Sequence, residues 1–131
     1  MIARAQELID TLGLEPHPEG GWYRQIYKSA ERVTRHADGR ERSALTTIYF
    51  LLVEGTWSRW HRVESDEVWH FYEGDALELS IRDRETVTLD ANNRVYVVPA
   101  RAWQTARPLG AYTLVGCTVG PGFEFEDFEM E

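Results

Sequence analysis

Two side chains could do chemistry together: His61 and Glu67, set in the run Gly55-Thr-Trp-Ser-Arg-Trp-His61-Arg-Val63-Glu-Ser-Asp-Glu67-Val-Trp-His-Phe-Tyr-Glu-Gly74. An imidazole titrates near neutrality, so it serves as a metal ligand or a proton shuttle. A carboxylate inside a protein needs a partner, because unpaired buried charge is costly. For Glu67 the partners on offer are Arg59, His61, a metal ion or a ligand. Side chains alternate faces along a strand. Two strands joined by a turn would therefore put Trp57, Arg59, His61 and Val63 on one face, and Glu67, Trp69 and Phe71 on the face opposite. The same alternation groups Thr47, Tyr49 and Leu51, and groups Gln104 with Ala102 and Ala106. The predicted pocket has aromatic faces from Tyr49, Trp69 and Phe71, and polar groups from Thr47, Arg59, His61, Glu67 and Gln104, a mixture typical of small-molecule sites. His70 falls on the other face, packed between layers or at an interface.

These residues need strands to position them. Residues 2–13 carry Ile2, Ala5, Leu8, Ile9 and Leu12 at helical spacing with Gly13 as a stop, which predicts one short amphipathic helix. Leu14-Glu-Pro-His-Pro-Glu-Gly-Gly21 has two prolines and two glycines and reads as an irregular arm. From Trp22 onward, short aromatic and β-branched runs alternate with turn signals such as Asp38-Gly39, Glu73-Gly74-Asp75, Asn92-Asn93 and Pro108-Leu109-Gly110. Strands are expected near 22–28, 44–53, 57–63, 67–73, 76–82, 86–90, 94–98, 102–106 and 111–119, an all-β barrel or sandwich. The final run, Phe123-Glu-Phe-Glu-Asp-Phe-Glu, alternates aromatic and acidic residues and predicts a half-buried strand closing a sheet edge, with a lid over the pocket as the alternative.

Composition excludes several classes. The 131 residues, 43% hydrophobic with five tryptophans, suffice for one packed core, and residues 1–131 read as a single domain with no repeat or linker. A net charge of −8 repels phosphate backbones and anionic lipid, so neither nucleic acid nor membrane is an expected partner. Arg32, Arg35, Arg40 and Arg42 fall among acidic neighbours and read as a solvated loop. Cys117 is the one cysteine, so no intrachain disulfide forms; in its apolar run it reads as a buried, inert thiol. No signal-peptide pattern and no long apolar run occurs, which leads to the expectation of a soluble, cytoplasmic protein.

The spacing around His61 resembles the first cupin motif, in which Gly, His, a second His, Glu and Gly recur at fixed intervals: Gly55, His61, Glu67 and Gly74 match, and Val63 stands where the second His would be. The second cupin motif is eroded, with Asn93 for its first Gly, Pro99 kept, Arg101 for the next Gly, Gln104 at the His position and Pro108 at the Asn position. The chain as a whole is similar to the Cupin_5 (DUF985) family through His17-Pro-Glu-Gly-Gly-Trp-Tyr23, Thr46-Thr-Ile-Tyr-Phe-Leu-Leu52, Asp66-Glu-Val-Trp-His70, Val98-Pro99 with Trp103-Gln104, and Val119-Gly-Pro-Gly-Phe123. This resemblance implies a double-stranded β-helix, the jelly-roll barrel, in the shape of the sugar-nucleotide epimerases, and a homodimer. It implies either no cofactor or a divalent metal held by His61, Glu67 and Gln104. That set is incomplete, because Gln is a modest oxygen donor and catalytic sites commonly keep three strong protein ligands.

Three functions follow as expectations. One is a metal-independent isomerase or epimerase acting on a carbohydrate-like or nucleotide-sugar-like molecule, with His61 as base and Tyr49 as acid. The second is a non-catalytic module that captures the same kind of ligand. The third, a metal-dependent oxygenase or isomerase on His61, Glu67 and Gln104, is weakened by Val63. The helix, the 14–21 arm and an edge strand at 22–28 all need cover, which independently favours a homodimer.

Overall fold

Thirteen strands, one α-helix and one short 3-10 turn follow the patterning of the sequence. The computed structural model describes all residues, 1–131. Helix α1 (Ala3–Leu12) leads into β1 (Glu15–Pro16) and β2 (Trp22–Lys28), then a small hairpin of β3 (Arg32–Thr34) and β4 (Glu41–Ser43). The main strands are β5 (Thr46–Val53), β6 (Ser58–Arg62), β7 (Asp66–Gly74), β8 (Leu77–Ile81), β9 (Thr86–Leu89), β10 (Val95–Val98), β11 (Gln104–Pro108) and β12 (Tyr112–Gly120). The 3-10 turn Phe125–Asp127 and β13 (Glu129–Met130) follow. All nine predicted strands are present. No helix is long and apolar enough to cross a membrane.

Two antiparallel sheets face each other, ordered β1-β2-β5-β12-β7-β10 and β13-β6-β11-β8-β9, with β3-β4 as a separate ribbon. This is a jelly roll of two sheets rather than one continuously hydrogen-bonded ring. Alternation packs it: β8 buries Leu77, Leu79 and Ile81 and turns Glu78 and Ser80 outward. These meet Phe50, Leu52, Trp69, Phe71 and Val115 from the opposite sheet in the main core. One end of β5 breaks the alternation and is buried on both faces, because α1 lays Ala5, Leu8 and Ile9 on the outside, against Leu51, Val53 and Leu114. Gly13 ends α1 in the left-handed conformation, φ 67°, which glycine adopts without a Cβ penalty.

Three local features depart from expectation. The arginine-rich loop is the β3–β4 ribbon, and Arg35 and Arg42 are buried at 4% and 6% exposure rather than solvated. The 123–129 alternation does not make one edge strand: it folds as the 3-10 turn and the short β13, which pairs with β6. Third, β6 carries a bulge. Gln104 opposes His61 and Ala106 opposes Ser58, so three residue steps on β6 match two on β11. A bulge of this kind reverses the facing of everything before it.

Candidate functional site

That bulge decides which side chains accompany His61. Strict alternation put Arg59 and Trp57 inside; instead Ser58 is fully buried, while Arg59 is exposed and Trp57 is 56% exposed. The place expected for Arg59 is taken by Glu19, from the 14–21 arm. Gly20, at φ 113°, lets this arm cross the start of β6, where a Cβ would lie 2.3 Å from the Trp57 carbonyl oxygen. The arm is pinned by the Arg59 N–H donating to the Glu19 carbonyl at 2.8 Å.

The polar centre is built on the Glu19 carboxylate. Its Oε2 lies 2.7 Å from His61 Nδ1 and accepts the Ser58 hydroxyl. His61 Nδ1 also lies 2.7 Å from the Arg59 carbonyl oxygen. Both neighbours are acceptors, so Nδ1 carries the proton. Nε2 makes no hydrogen bond within the protein, which leaves it for whatever enters the cavity. Burial alone would lower the His61 pKa, but the Glu19 charge and hydrogen bond, with a contribution from Glu67, push it up to about 9. Glu19 is buried, which opposes ionisation, yet His61, His17 and Ser58 hold it below the usual carboxylate range. His17 accepts the Glu19 N–H at 3.1 Å on Nδ1, and burial lowers its pKa.

Glu67 reaches the same cavity from β7. Burial raises its pKa to about 7, and the His61 charge limits the rise. It pairs with Gln104, not with Arg59: Gln104 Nε2 donates to Glu67 Oε1 at 2.7 Å, and Gln104 Oε1 accepts from Trp69 Nε1 at 2.9 Å. An indole N–H only donates, so Trp69 sets the orientation of this amide. The expected metal set does not fit. Gln104 presents its NH2 to Glu67 and has spent its oxygen on Trp69, so of the three expected ligands only Glu67 and the free Nε2 of His61 remain. No three His, Cys, Asp or Glu side chains gather as ligands.

The cavity has a volume of about 190 Å³. His61, Glu67 and Cys117 reach it from three strands of the jelly roll. Its aromatic wall is Tyr23 from β2 with Phe123, Phe125 and Phe128 from the segment after β12, not the predicted Trp69, Phe71 and Tyr49. Trp69 and Phe71 lie in the core beneath. Tyr49 and Thr47 turn to the outer face of β5, where Tyr49 packs edge-on to Tyr72 and Thr47 bonds Thr118. Tyr49 is therefore no acid for this site. β5 contributes Thr46 and Ile48 instead, one residue out of phase with the expectation. His70 stacks on Tyr72 outside the cavity, as the alternation predicts. Cys117 is buried and lines the cavity, its thiol pushed up by burial and by the neighbouring Glu67.

With this geometry the comparison with known proteins is direct. Residues 6–131 match the family profile described as Cupin superfamily (DUF985), Cupin_5. The chain belongs to the Cupin_5 family. Among solved structures, the Cupin_5 chain is similar to a hypothetical protein from Leishmania major, 34% identical, with a TM-score of 0.90 over 97% of this chain and 86% of that one. It is also similar to a protein from Shewanella oneidensis, 34% identical, with a TM-score of 0.84 over 97% and 84%. KdgF from a Halomonas species shares the fold at 16% identity, with a TM-score of 0.63 over 82% and 86%. No curated protein matches the chain. Of the Cupin_5 site, alternation found His61, Glu67 and the Gln104 support, but it had no means of finding Glu19 or Ser58. The arm motif His17-Pro-Glu-Gly-Gly21 was the signal that could have drawn attention to Glu19, since a carboxylate beside paired glycines in an ordered arm needs a reason.

Proposed function

We propose that this Cupin_5 protein is a metal-independent proton-transfer enzyme, an isomerase or epimerase acting on one small polar, carbohydrate-like molecule. Glu67 takes the proton and the His61 imidazolium gives one. This replaces His61 as base and Tyr49 as acid. The observation that carries the reading is two titratable side chains in one small cavity whose pKa values, about 7 for Glu67 and about 9 for His61, leave a window in which the carboxylate is a base while the imidazolium is an acid. Groups whose environments set them to give and take protons near neutrality are the signature of acid–base sites. Epimerisation beside a carbonyl needs a proton removed from one face of a carbon and one delivered to the other. The volume favours a small substrate. Drug-sized ligands occupy roughly 300–1,000 Å³, so a single sugar or a small hydroxy acid suits about 190 Å³ and a nucleotide-sugar does not.

Proton abstraction is tested without knowing the product. A panel of monosaccharides, 2-hydroxy acids and 2-oxo acids is incubated with the protein in D2O, and loss of the carbon-bound proton signal is followed by NMR. Wild type is expected to exchange at least one member, with a bell-shaped profile between apparent pKa values of about 7 and 9. Glu67→Gln is expected to slow exchange by roughly 10²–10⁴-fold. Saturable binding of a panel member with no exchange would make the protein a binding module, and no binding at all would sink the carbohydrate-like ligand.

We also infer a homodimer. Outside the patch covered by α1, the outer face of the six-stranded sheet exposes Tyr27, Tyr72, Val95 and Val97. Exposed large apolar side chains on one sheet face support an interaction surface, and a second copy is the partner every chain has.

A further inference from the structure

The segment after β12, residues 121–131, supplies three of the four carbocyclic rings of the cavity wall, yet little backbone ties it to the jelly roll. Its anchors are the Gly122 N–H to the Ser43 carbonyl at 2.7 Å, the Phe123 N–H to Thr46 Oγ1 at 2.9 Å, the Glu131 N–H to the Trp60 carbonyl at 3.1 Å, and the two-residue pairing of β13 with β6. What holds it is charge. All five of its acidic side chains meet a base on the body of the protein. Glu124 lies 2.7 Å from Lys28, Glu126 2.7 Å from Arg42, Glu129 2.8 Å from Arg62, and Glu131 2.6 Å from Arg82. Asp127, buried, is clasped by Arg35 at 2.8 Å and Arg42 at 2.9 Å. The three phenylalanines of the segment line the cavity, with the Glu124–Lys28 pair beside them, and Phe128 stacks on the His61 ring with centroids 5.6 Å apart. The phenylalanines of the aromatic–acidic run thus wall the cavity and its acids fasten the wall.

We propose that residues 121–131 are a strap that gates the cavity, opening about Gly120–Gly122 and held shut by the Asp127 clasp and the outer ion pairs. Four of the five acids pair at partly exposed positions, where each pair holds weakly and salt screens it. The buried clasp is the stronger fastening, because removing one partner strands the other's charge. Opening lifts Phe128 off His61 and unroofs Nε2, while the ladders of β5, β7 and β12 stay intact. Segments with few backbone ties open well below the free energy of global unfolding.

The functional meaning of the gate rests on the cavity being the ligand site, but its test needs no ligand. Cys117, buried in the cavity and the one thiol of the chain, reports opening. Its labelling by N-ethylmaleimide is measured at constant pH at low salt and in roughly 1 M NaCl, and in Asp127→Asn and the double variant Glu126→Gln, Glu129→Gln. Amide exchange of β5 and β7 is followed in parallel. Labelling is expected to rise several-fold in salt and in the double variant, and about tenfold or more in Asp127→Asn, with β5 and β7 amides unchanged. Labelling that ignores every variant and salt, or that rises only in step with β5 and β7 exchange, would show that the strap does not open separately and overturn the proposal. Should Asp127→Asn fail to fold, the double variant decides alone, since its acids lie at the surface. A gating strap with no proton exchange on the panel would leave the gate standing and the proposed reaction fallen; the converse result would do the reverse.

Discussion

At His61 two acceptors, the Glu19 carboxylate and the Arg59 carbonyl, converge on one ring nitrogen, and this convergence rather than the histidine itself sets the protonation state. A buried imidazole without Glu19 would lose its charge, because burial alone lowers its pKa. An NMR titration is therefore expected to place His61 near 9 in wild type and below the ordinary 6.5 in Glu19→Gln; an unchanged value would remove Glu19 from its positioning role. Stability follows by linkage. His61 has a folded pKa above its unfolded value, so its contribution is full below pH 6.5 and is lost as pH rises through about 9. The raised carboxyl of Glu67 acts in the same sense: its contribution is full below pH 4.5 and lost as pH rises through about 7. Glu19 and Asp127 are depressed, so theirs is present above their unfolded values of 4.5 and 3.8 and is lost on acidification. His17, whose pKa is lowered by burial, adds a contribution that is full above pH 6.5 and is lost on acidification, so the protein is expected to be most stable between roughly pH 5 and 6.5, where these windows meet, and to turn over best at a higher pH. Chemical denaturation across pH checks the first half of that separation.

Among the elements, the bulge in β6 and the glycine arm act together, since one turns Ser58 inward and the other brings Glu19 to meet it. Gly20→Ala tests the arm. An alanine there must adopt φ 113° with its Cβ driven against the Trp57 carbonyl. The expected cost is at least about 1–2 kcal/mol in denaturant, together with a drop in the His61 pKa as Glu19 is displaced. A stable variant with His61 unmoved would show that the arm has slack. A second bulge, at Ile26 in β2, does similar work on the mouth of the cavity: it lets Gln25 and Lys28, three residues apart, both face in. The β3–β4 ribbon, whose charges suggested a solvated loop, reaches the cavity only indirectly, by presenting Arg35 and Arg42 to Asp127.

On the scale of the whole molecule, the jelly roll leaves one broad sheet face only partly covered, and the expected assembly is a dimer through it. Sedimentation at micromolar concentration should give about twice the 15.2 kDa chain mass, and Tyr72→Glu, placed on that face beside His70, should shift it to monomer. A monomeric wild type would contradict the assignment. The all-β fold, the nine main strands, the helix with its Gly13 stop, and the inward facing of His61, Glu67 and Gln104 were all legible in the sequence. Each of these rests on local periodicity, which two or three turns of pattern suffice to express. The packing of distant segments is what leaves Arg59 and Tyr49 outside the cavity, brings Glu19 into it with Ser58 buried behind, and walls it with Tyr23 and three later phenylalanines while Trp69 and Phe71 go to the core. A one-residue bulge leaves no mark in a hydrophobic pattern yet reverses every side chain beyond it. Contacts such as Glu19 with His61, or Asp127 with Arg35, join residues far apart in the chain, and nothing local distinguishes an acid that will meet a base across the fold from one that will meet water.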